Sequence, residues 1–257
     1  MNKVNYPLIS IITVVYNGEK HIKSTIESVL NQTYVNIEYI IIDGSSTDNT
    51  LNIINKYKNI KLISEKDNGV YDAMNKGINL ANGKIIGILN CGDYYTANCI
   101  NDVFKKYNDA NLSPNDHFII SGGMYLMDLK KNCKITLDVN KSFLKKLYQK
   151  MSLFHPSIFI SKKTYLDYGF FNDNYKISAD YDLLLRYYDK GVTFCFSDKI
   201  FTEMNNEGMS TSLKGVLTSL KEAFIIRSKY ISFIKNFNLT SYDLLSYLYS
   251  RIFKIFK

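Results

Sequence analysis

Three apolar runs in the first 93 positions each stop abruptly in small and acidic side chains, and this repeated ending constrains the fold more than any other feature. Pro7 to Val15 ends in Tyr16-Asn17-Gly18, Ile37 to Ile42 in Asp43-Gly44-Ser45-Ser46-Thr47-Asp48, and Ile85 to Leu89 in Asn90-Cys91-Gly92-Asp93. Ile9, Ile11, Ile12, Val14 and Val15 are β-branched and almost continuous, which is how a strand buried on both faces reads. Helical periodicity fills the intervals. His21 to Gln32 puts Ile22, Ile26, Val29 and Leu30 on one face, and Thr47 to Lys58 does so with Leu51, Ile54 and Tyr57, capped by Asp48 or Ser46. Gly77 and Gly83 bracket the stretch before the third strand. Strand and helix alternate, which predicts an α/β fold with a mostly parallel sheet flanked by helices. Ligands of such a sheet sit outside the carboxyl ends of the strands, so three endings in register describe one site. Rich in oxygen ligands and poor in lysine, it suits a sugar nucleotide held through a divalent cation better than a phosphate gripped by basic side chains.

Taken singly, these motifs have plainer readings. Asp43 to Asp48 is also a turn followed by a helix cap. Asp180, in Ile177-Ser178-Ala179-Asp180-Tyr181-Asp182, falls at a helix start, where the dipole favours an acid. His155 stands in a loop entering the strand-like run Ile158-Phe159-Ile160, and a lone histidine is commonly just packed. No His-Glu-x-x-His or Cys-x-x-Cys pattern occurs, which argues against a zinc site.

Together, Ile12 to Asn17, Ser28 to Tyr34, Asp43 to Thr50, Asn68 to Gly77 and Asn90 to Asp93 resemble, in order and spacing, the motifs of the family 2 glycosyltransferases, which have the GT-A fold. The resemblance runs over roughly residues 7 to 205. Within the family it is nearest to bacterial enzymes that build surface polysaccharides such as O-antigen and capsule. It implies that Thr13, Tyr16, Asn17, Asp43 and Ser45 line the nucleotide pocket with Asn75, Lys76, Asn90, Cys91 and Gly92. Asp93 then matches the last acid of an Asp-x-Asp signature and holds a divalent cation, Mn or Mg, on the diphosphate. Asp180 takes the place of the base that deprotonates the acceptor, with Asp182 as the fallback, and His155 lines the acceptor pocket or stabilises the diphosphate. The chain departs from the pattern at Asn90 and Gly92, where relatives carry acids, and at Met74, where many carry an arginine. Charge neutralisation would then fall on the cation or on Lys76.

A chain of 257 residues holds one catalytic domain and an appendage. The expected division is 1–212 for the GT-A domain, with 1–107 binding the nucleotide sugar and 108–212 facing the acceptor, and 213–257 for C-terminal basic helices. Cys91, Cys99, Cys133 and Cys195 show no framework spacing and Met1 to Asn5 opens no signal peptide, so reduced thiols and a cytoplasmic location are expected. Most of the net charge of +8 lies after Leu213, where Lys214, Lys221, Arg227, Lys229, Lys235, Arg251, Lys254 and Lys257 outweigh Glu222 and Asp243. Interleaving with Leu244, Leu245, Leu248, Ile252 and Phe253 favours an anionic membrane surface over nucleic acid for 239–257, with a helix packed on the domain as the other reading. The expected activity is an inverting, metal-assisted transfer from a nucleoside diphosphate sugar, a UDP-sugar foremost, to a lipid-linked surface glycan. A non-catalytic nucleotide-sugar-binding protein and a nucleotidyltransferase or pyrophosphorylase are the alternatives. Retention of Asp180 opposes the first, and the poor basic loop Tyr16-Asn17-Gly18-Glu19-Lys20 opposes the second.

Overall fold

In the computed structural model, which describes residues 6–128, 133–205 and 212–255, the β-branched runs become strands. β1 (Ile9–Val15) is followed by α1 (Ile22–Leu30), β2 (Ile37–Asp43), α2 (Thr50–Ile54), β3 (Lys61–Ser64), α3 (Val70–Leu80) and β4 (Ile85–Ile88). These four strands are parallel in the order β3-β2-β1-β4. Side chains alternate across the sheet. Ile12, Val14, Ile40, Ile42, Ile86 and Ile88 form one core with Ala73, Met74 and Ile78 of α3, and Ile9, Ile11, Val15, Ile41 and Ile85 form the other with Ile22, Ile26 and Val29 of α1. Both faces are therefore covered, which is why β1 is buried along its whole length. Gly77, expected to bracket the stretch before the third strand, lies inside α3. A Cβ there would fall 2.4 Å from Ile12 Cγ2, so glycine lets the helix lie close on β1. α2 starts later than Thr47 because residues 47–49 are drawn into hydrogen bonds with the loop after β1, and it ends at Ile54, short of Lys58.

Beyond β4 the parallel order ends. β5 (Tyr94–Tyr95), α4 (Cys99–Asp109), β6 (Phe118–Asp128), β7 (Cys133–Leu137), β8 (Ile158–Ser161), α5 (Lys162–Tyr168), α6 (Ala179–Asp189) and β9 (Thr193–Asn205) continue the sheet as β4-β8-β6-β9-β5, with β7 on β6. β8 is antiparallel to both β4 and β6, β5 is antiparallel to β9, and β6 and β9 are parallel. The sheet is thus parallel in its first half and mixed in its second. Beyond β4 a helix no longer joins each strand to a parallel neighbour: β6 runs directly into β7, which pairs back on it antiparallel, although β6 and β9 are parallel. Leu183, Leu184 and Tyr187 of α6 join the α3 side, and Ile100 and Val103 of α4 join the α1 side.

α7 (Leu213–Arg227) and α8 (Phe233–Ile255) complete the chain. Ile226 of α7 belongs to the same core as α6. The next residue, Arg227, is 1% exposed and donates to Gln149 O (2.5 Å), Asn236 Oδ1 (3.0 Å), Thr240 Oγ1 (2.7 Å) and Asp243 Oδ2 (3.1 Å). Asn236, Thr240 and Asp243 follow at helical spacing, so the polar face of α8 turns inward. Phe233, Ile234, Phe237, Tyr242, Leu245 and Tyr249 are left exposed. The side chains of Arg251 to Lys257, part of the basic segment, lie outside the described residues. No described helix is long and apolar enough to cross a membrane.

Candidate active site

The loops after β1 and β2 are stitched together reciprocally. Asn17, at φ 50°, accepts from Thr47 N (2.8 Å) through Oδ1 and donates its own N–H to Ser46 Oγ (2.8 Å). Gly18 N donates to Thr50 Oγ1 (2.8 Å), Glu19 N to Asp48 Oδ2 (3.0 Å), and Asn49 N to Glu19 Oε2 (3.0 Å). Gly18 also abuts the third ending, since a Cβ there would fall 2.6 Å from Cys91 Sγ. A fourth ending joins them. Asp67, after β3, has an Oδ2 that would lie 2.4 Å from a Cβ on Gly44. Sequence reasoning missed Asp67, although Leu62-Ile63-Ser64 running into Glu65-Lys66-Asp67 is the same strand ending in a shorter form.

Asp43 is wholly buried. Its Oδ2 accepts from Ser46 N (3.0 Å) and Ser64 Oγ (2.7 Å), and its Oδ1 has no partner among the described residues. Asn90 Oδ1 is likewise buried and unpaired. Such an acceptor costs about 1–3 kcal/mol, so both oxygens call for donors from a ligand or water. Asp93 is 7% exposed, and burial raises its carboxyl from 3.8 to about 7, with no hydrogen bond or ion pair among the described residues to offset it. Gly92, at φ 102°, turns the loop, and its N–H donates to Thr25 Oγ1 (3.0 Å), which in turn donates to Asp93 O (3.1 Å). Tyr16 and Ser45, the latter at φ 64°, stand exposed at the rim. Among the described residues no group of three or more His, Cys, Asp or Glu side chains could hold a metal. Asp93 alone, with hard oxygen ligands from a diphosphate and water, still fits the donor set that Mg²⁺ and Mn²⁺ take.

Several expected pocket residues are otherwise engaged. Thr13 points into the α1 core, as odd-numbered positions of β1 do, and shares a hydrogen bond with Tyr39 Oη (3.0 Å) instead of facing the strand ends. The Asn75 amide clasps Phe171, donating to its carbonyl (2.9 Å) and accepting from its N–H (3.0 Å). Lys76 pairs with Glu65 (2.9 Å) and Asp72 (3.4 Å), so its charge is already answered. Met74 is buried in the core. Cys91 packs on Gly18, and burial pushes its thiol up to about 12, leaving a neutral wall. Asp182, the fallback base, is 4% exposed at its side chain and held by Lys229 (2.8 Å) and Arg186 (3.6 Å). These ion pairs tie α6 to the α7–α8 corner.

Asp180 stands in the first turn of α6 with its Oδ1 accepting from Tyr181 N (2.8 Å). Tyr71, the second residue of α3, donates to Ile177 O (2.5 Å), so the N-terminal ends of α3 and α6 meet at the edge of the sheet where the strands end. Burial raises the Asp180 carboxyl to about 6, and the Glu222 charge adds to this. At neutral pH it is then mostly ionised yet unusually basic, the range that suits a general base. His155 meets Phe171 edge-on (5.9 Å), and Phe171 stacks on Tyr71 (5.5 Å). Its Nε2 is buried and unpaired among the described residues, and burial lowers the imidazole to about 4, so it is neutral at pH 7.

The profile of Glycosyl transferase family 2 matches residues 10–170. A chondroitin synthase of Pasteurella multocida (strain Pm70) is 28% identical over 254 residues, which is 92% of this chain and 25% of the synthase. The chain thus spans about a quarter of that relative. The Escherichia coli UDP-Glc:alpha-D-GlcNAc-diphosphoundecaprenol beta-1,3-glucosyltransferase WfaP is 39% identical over 127 residues, 45% of this chain and 50% of WfaP. The structure of S. aureus TarS 1-349 in complex with UDP-GlcNAc superposes with a TM-score of 0.67 at 17% identity, covering 92% of this chain and 71% of that one. At that identity the likeness is one of fold, and it is the GT-A arrangement expected from the sequence. Every strand ending described above, and His155 with them, falls inside the profiled stretch, and the chain belongs to glycosyl transferase family 2.

Proposed function

We propose that this protein is an inverting, metal-assisted glycosyltransferase that moves a sugar from a UDP-sugar to a hydroxyl of a growing, lipid-linked surface glycan. The observation that carries this reading is a pair of carboxylates, Asp93 and Asp180, both made more basic by burial and both at the edge of the sheet where the strands end. Asp43 Oδ1 and Asn90 Oδ1 accept hydrogen bonds from the nucleoside and its ribose, with Tyr16 and Ser45 at the rim. Asp93 would hold Mn²⁺ or Mg²⁺ against the donor diphosphate. When bound, such a cation neutralises the charge that builds on the departing nucleoside diphosphate. With Met74 buried and Lys76 already paired, that task does not fall to either side chain. Asp180 takes the proton of the acceptor hydroxyl as its oxygen attacks the anomeric carbon. The bond from that carbon to the diphosphate breaks on the opposite face, which inverts the configuration. His155, neutral, flanks the acceptor.

The relatives' names agree with this donor and acceptor class: WfaP is named for UDP-Glc and a diphosphoundecaprenol-linked GlcNAc, and TarS was solved with UDP-GlcNAc. A lipid-linked acceptor places the enzyme at the cytoplasmic face of a membrane. The outward apolar face of α8, with Lys235 beside it, would lie on an anionic bilayer there. The decisive experiment is Asp180→Asn in single-turnover transfer. Donor affinity should hold while transfer falls by roughly 10²–10⁴-fold, with nucleoside diphosphate as the released product of the wild type. Wild-type transfer by the variant would remove the base, and pyrophosphate release would make the protein a nucleotidyltransferase.

A further inference from the structure

Glu222 lies on α7, outside the profiled stretch and far in sequence from every strand ending. It is 7% exposed, and its carboxylate accepts three consecutive backbone N–H groups: Lys176 (2.8 Å), Ile177 (3.1 Å) and Ser178 (2.9 Å). These residues lead directly into the first turn of α6, and Ser178 is its N-cap. The Ser178 side chain makes no cap bond to the helix. Its hydroxyl lies 3.4 Å from Ser219 Oγ, one turn before Glu222 on α7. The Ile177 peptide is held on both sides, by Glu222 at its N–H and by the Tyr71 hydroxyl at its carbonyl. A carboxylate in a nest of successive N–H groups at a helix start is strongly favoured, because charge, dipole and hydrogen bonds all act in one direction.

We propose that Glu222 is a positioning residue for Asp180, holding from α7 the loop that sets the first turn of α6 against the donor half. This rests on Asp180 being the base of the proposed transfer. The chain needs a fixed peptide here because Asp180 stands only two residues beyond Ser178, so any rotation of the 176–178 loop moves its carboxylate relative to the acceptor. The like charge of Glu222 also favours the protonated form of Asp180. Tyr71 from α3 also faces Asp180, while Asp182 on its own helix is ion-paired with Lys229 and Arg186.

The test is Glu222→Gln in the full chain, with Glu222→Asp beside it. A misplacement of about 1 Å in a reacting group costs about 10²-fold, so kcat should fall by about 10–10²-fold with donor KM within about twofold. The acid limb of the Glu222→Gln pH profile should move to lower pH, because the neighbouring charge is gone. Glu222→Asp keeps the charge but shortens the reach, and should lose rate while keeping the position of the acid limb. Combining Glu222→Gln with Asp180→Asn should cost no more than Asp180→Asn alone. Unchanged kcat with an unmoved acid limb in Glu222→Gln overturns the proposal. So does a rate loss that multiplies with that of Asp180→Asn. Wild-type transfer by Asp180→Asn alone overturns instead the assignment of the base. If Glu222→Gln does not fold, Glu222→Asp and the same double-variant comparison made with it decide.

Discussion

Replacing Asp93 by Asn should yield a protein that is more stable and inactive. The wild-type carboxyl is 7% exposed and raised from 3.8 to about 7 by burial alone. A carboxyl raised on folding keeps its proton longer in the folded state than in the unfolded chain. Its contribution to stability is therefore full below about pH 4 and falls as pH climbs to about 7, the reverse of a salt-bridged carboxylate. The interval from 3.8 to about 7 corresponds to roughly 4 kcal/mol at about 1.4 kcal/mol per pH unit. Water penetration will reduce it, so a gain of about 2–4 kcal/mol for Asp93→Asn at pH 8 is expected, or roughly 5–12 °C in Tm for a chain of this size. Thermal melts of both proteins from pH 4 to 8 without divalent ions supply the measurement, and the difference between them isolates this one group. Mn²⁺ with UDP should then raise the wild-type Tm and leave the variant nearly unmoved, since the added cation would meet a neutral amide. A Tm difference that stays flat between pH 4.5 and 8, or a variant less stable than wild type at pH 8, would refute the reasoning.

Two further outcomes follow from the C-terminal helices. Arg227→Met should destabilise by about 3 kcal/mol in urea titration, the low end for breaking a buried pair, because Asp243 is partly exposed and can regain water. A loss under about 1 kcal/mol would mean that the four hydrogen bonds of Arg227 do not hold the corner. Replacing Ile234, Phe237 and Leu245 together by Ser should abolish co-sedimentation with vesicles containing anionic lipid while leaving Tm within about 2 °C, since these side chains are exposed. Binding that survives the triple change would exclude α8 as the contact.

The parallel half of the fold was legible because β1, β2 and β4 are buried and mostly β-branched, so the polar loops that follow make each strand end conspicuous. β3 was not, since Lys61 and Ser64 are exposed and its run is four residues long. α3 was hidden for a similar reason: Tyr71, Asp72, Asn75 and Lys76 serve tertiary bonds and blur the apolar period. Thr13 misled because a motif position was read without the alternation of the strand, which turns its hydroxyl toward Tyr39. Asp180 and Asp182 look alike in sequence, and only Arg186 on α6 and Lys229 beyond α7, which pair with Asp182, tell them apart. Glu222 left no local trace, because its three partners lie more than 40 residues earlier.

The ties of α6 to the C-terminal helices set the size of the piece that can be cut out or exchanged. The stretch shared with the family ends at residue 170, and a boundary drawn there or at residue 212 looks natural on an alignment. A fragment ending at 212 would keep Asp182 buried without Lys229, and would leave the N–H groups of Lys176, Ile177 and Ser178 without the oxygens that now receive them. In any chimera with a relative, α6, α7 and the first three turns of α8 must travel as one cassette. The heritable motif is shorter than the unit that folds.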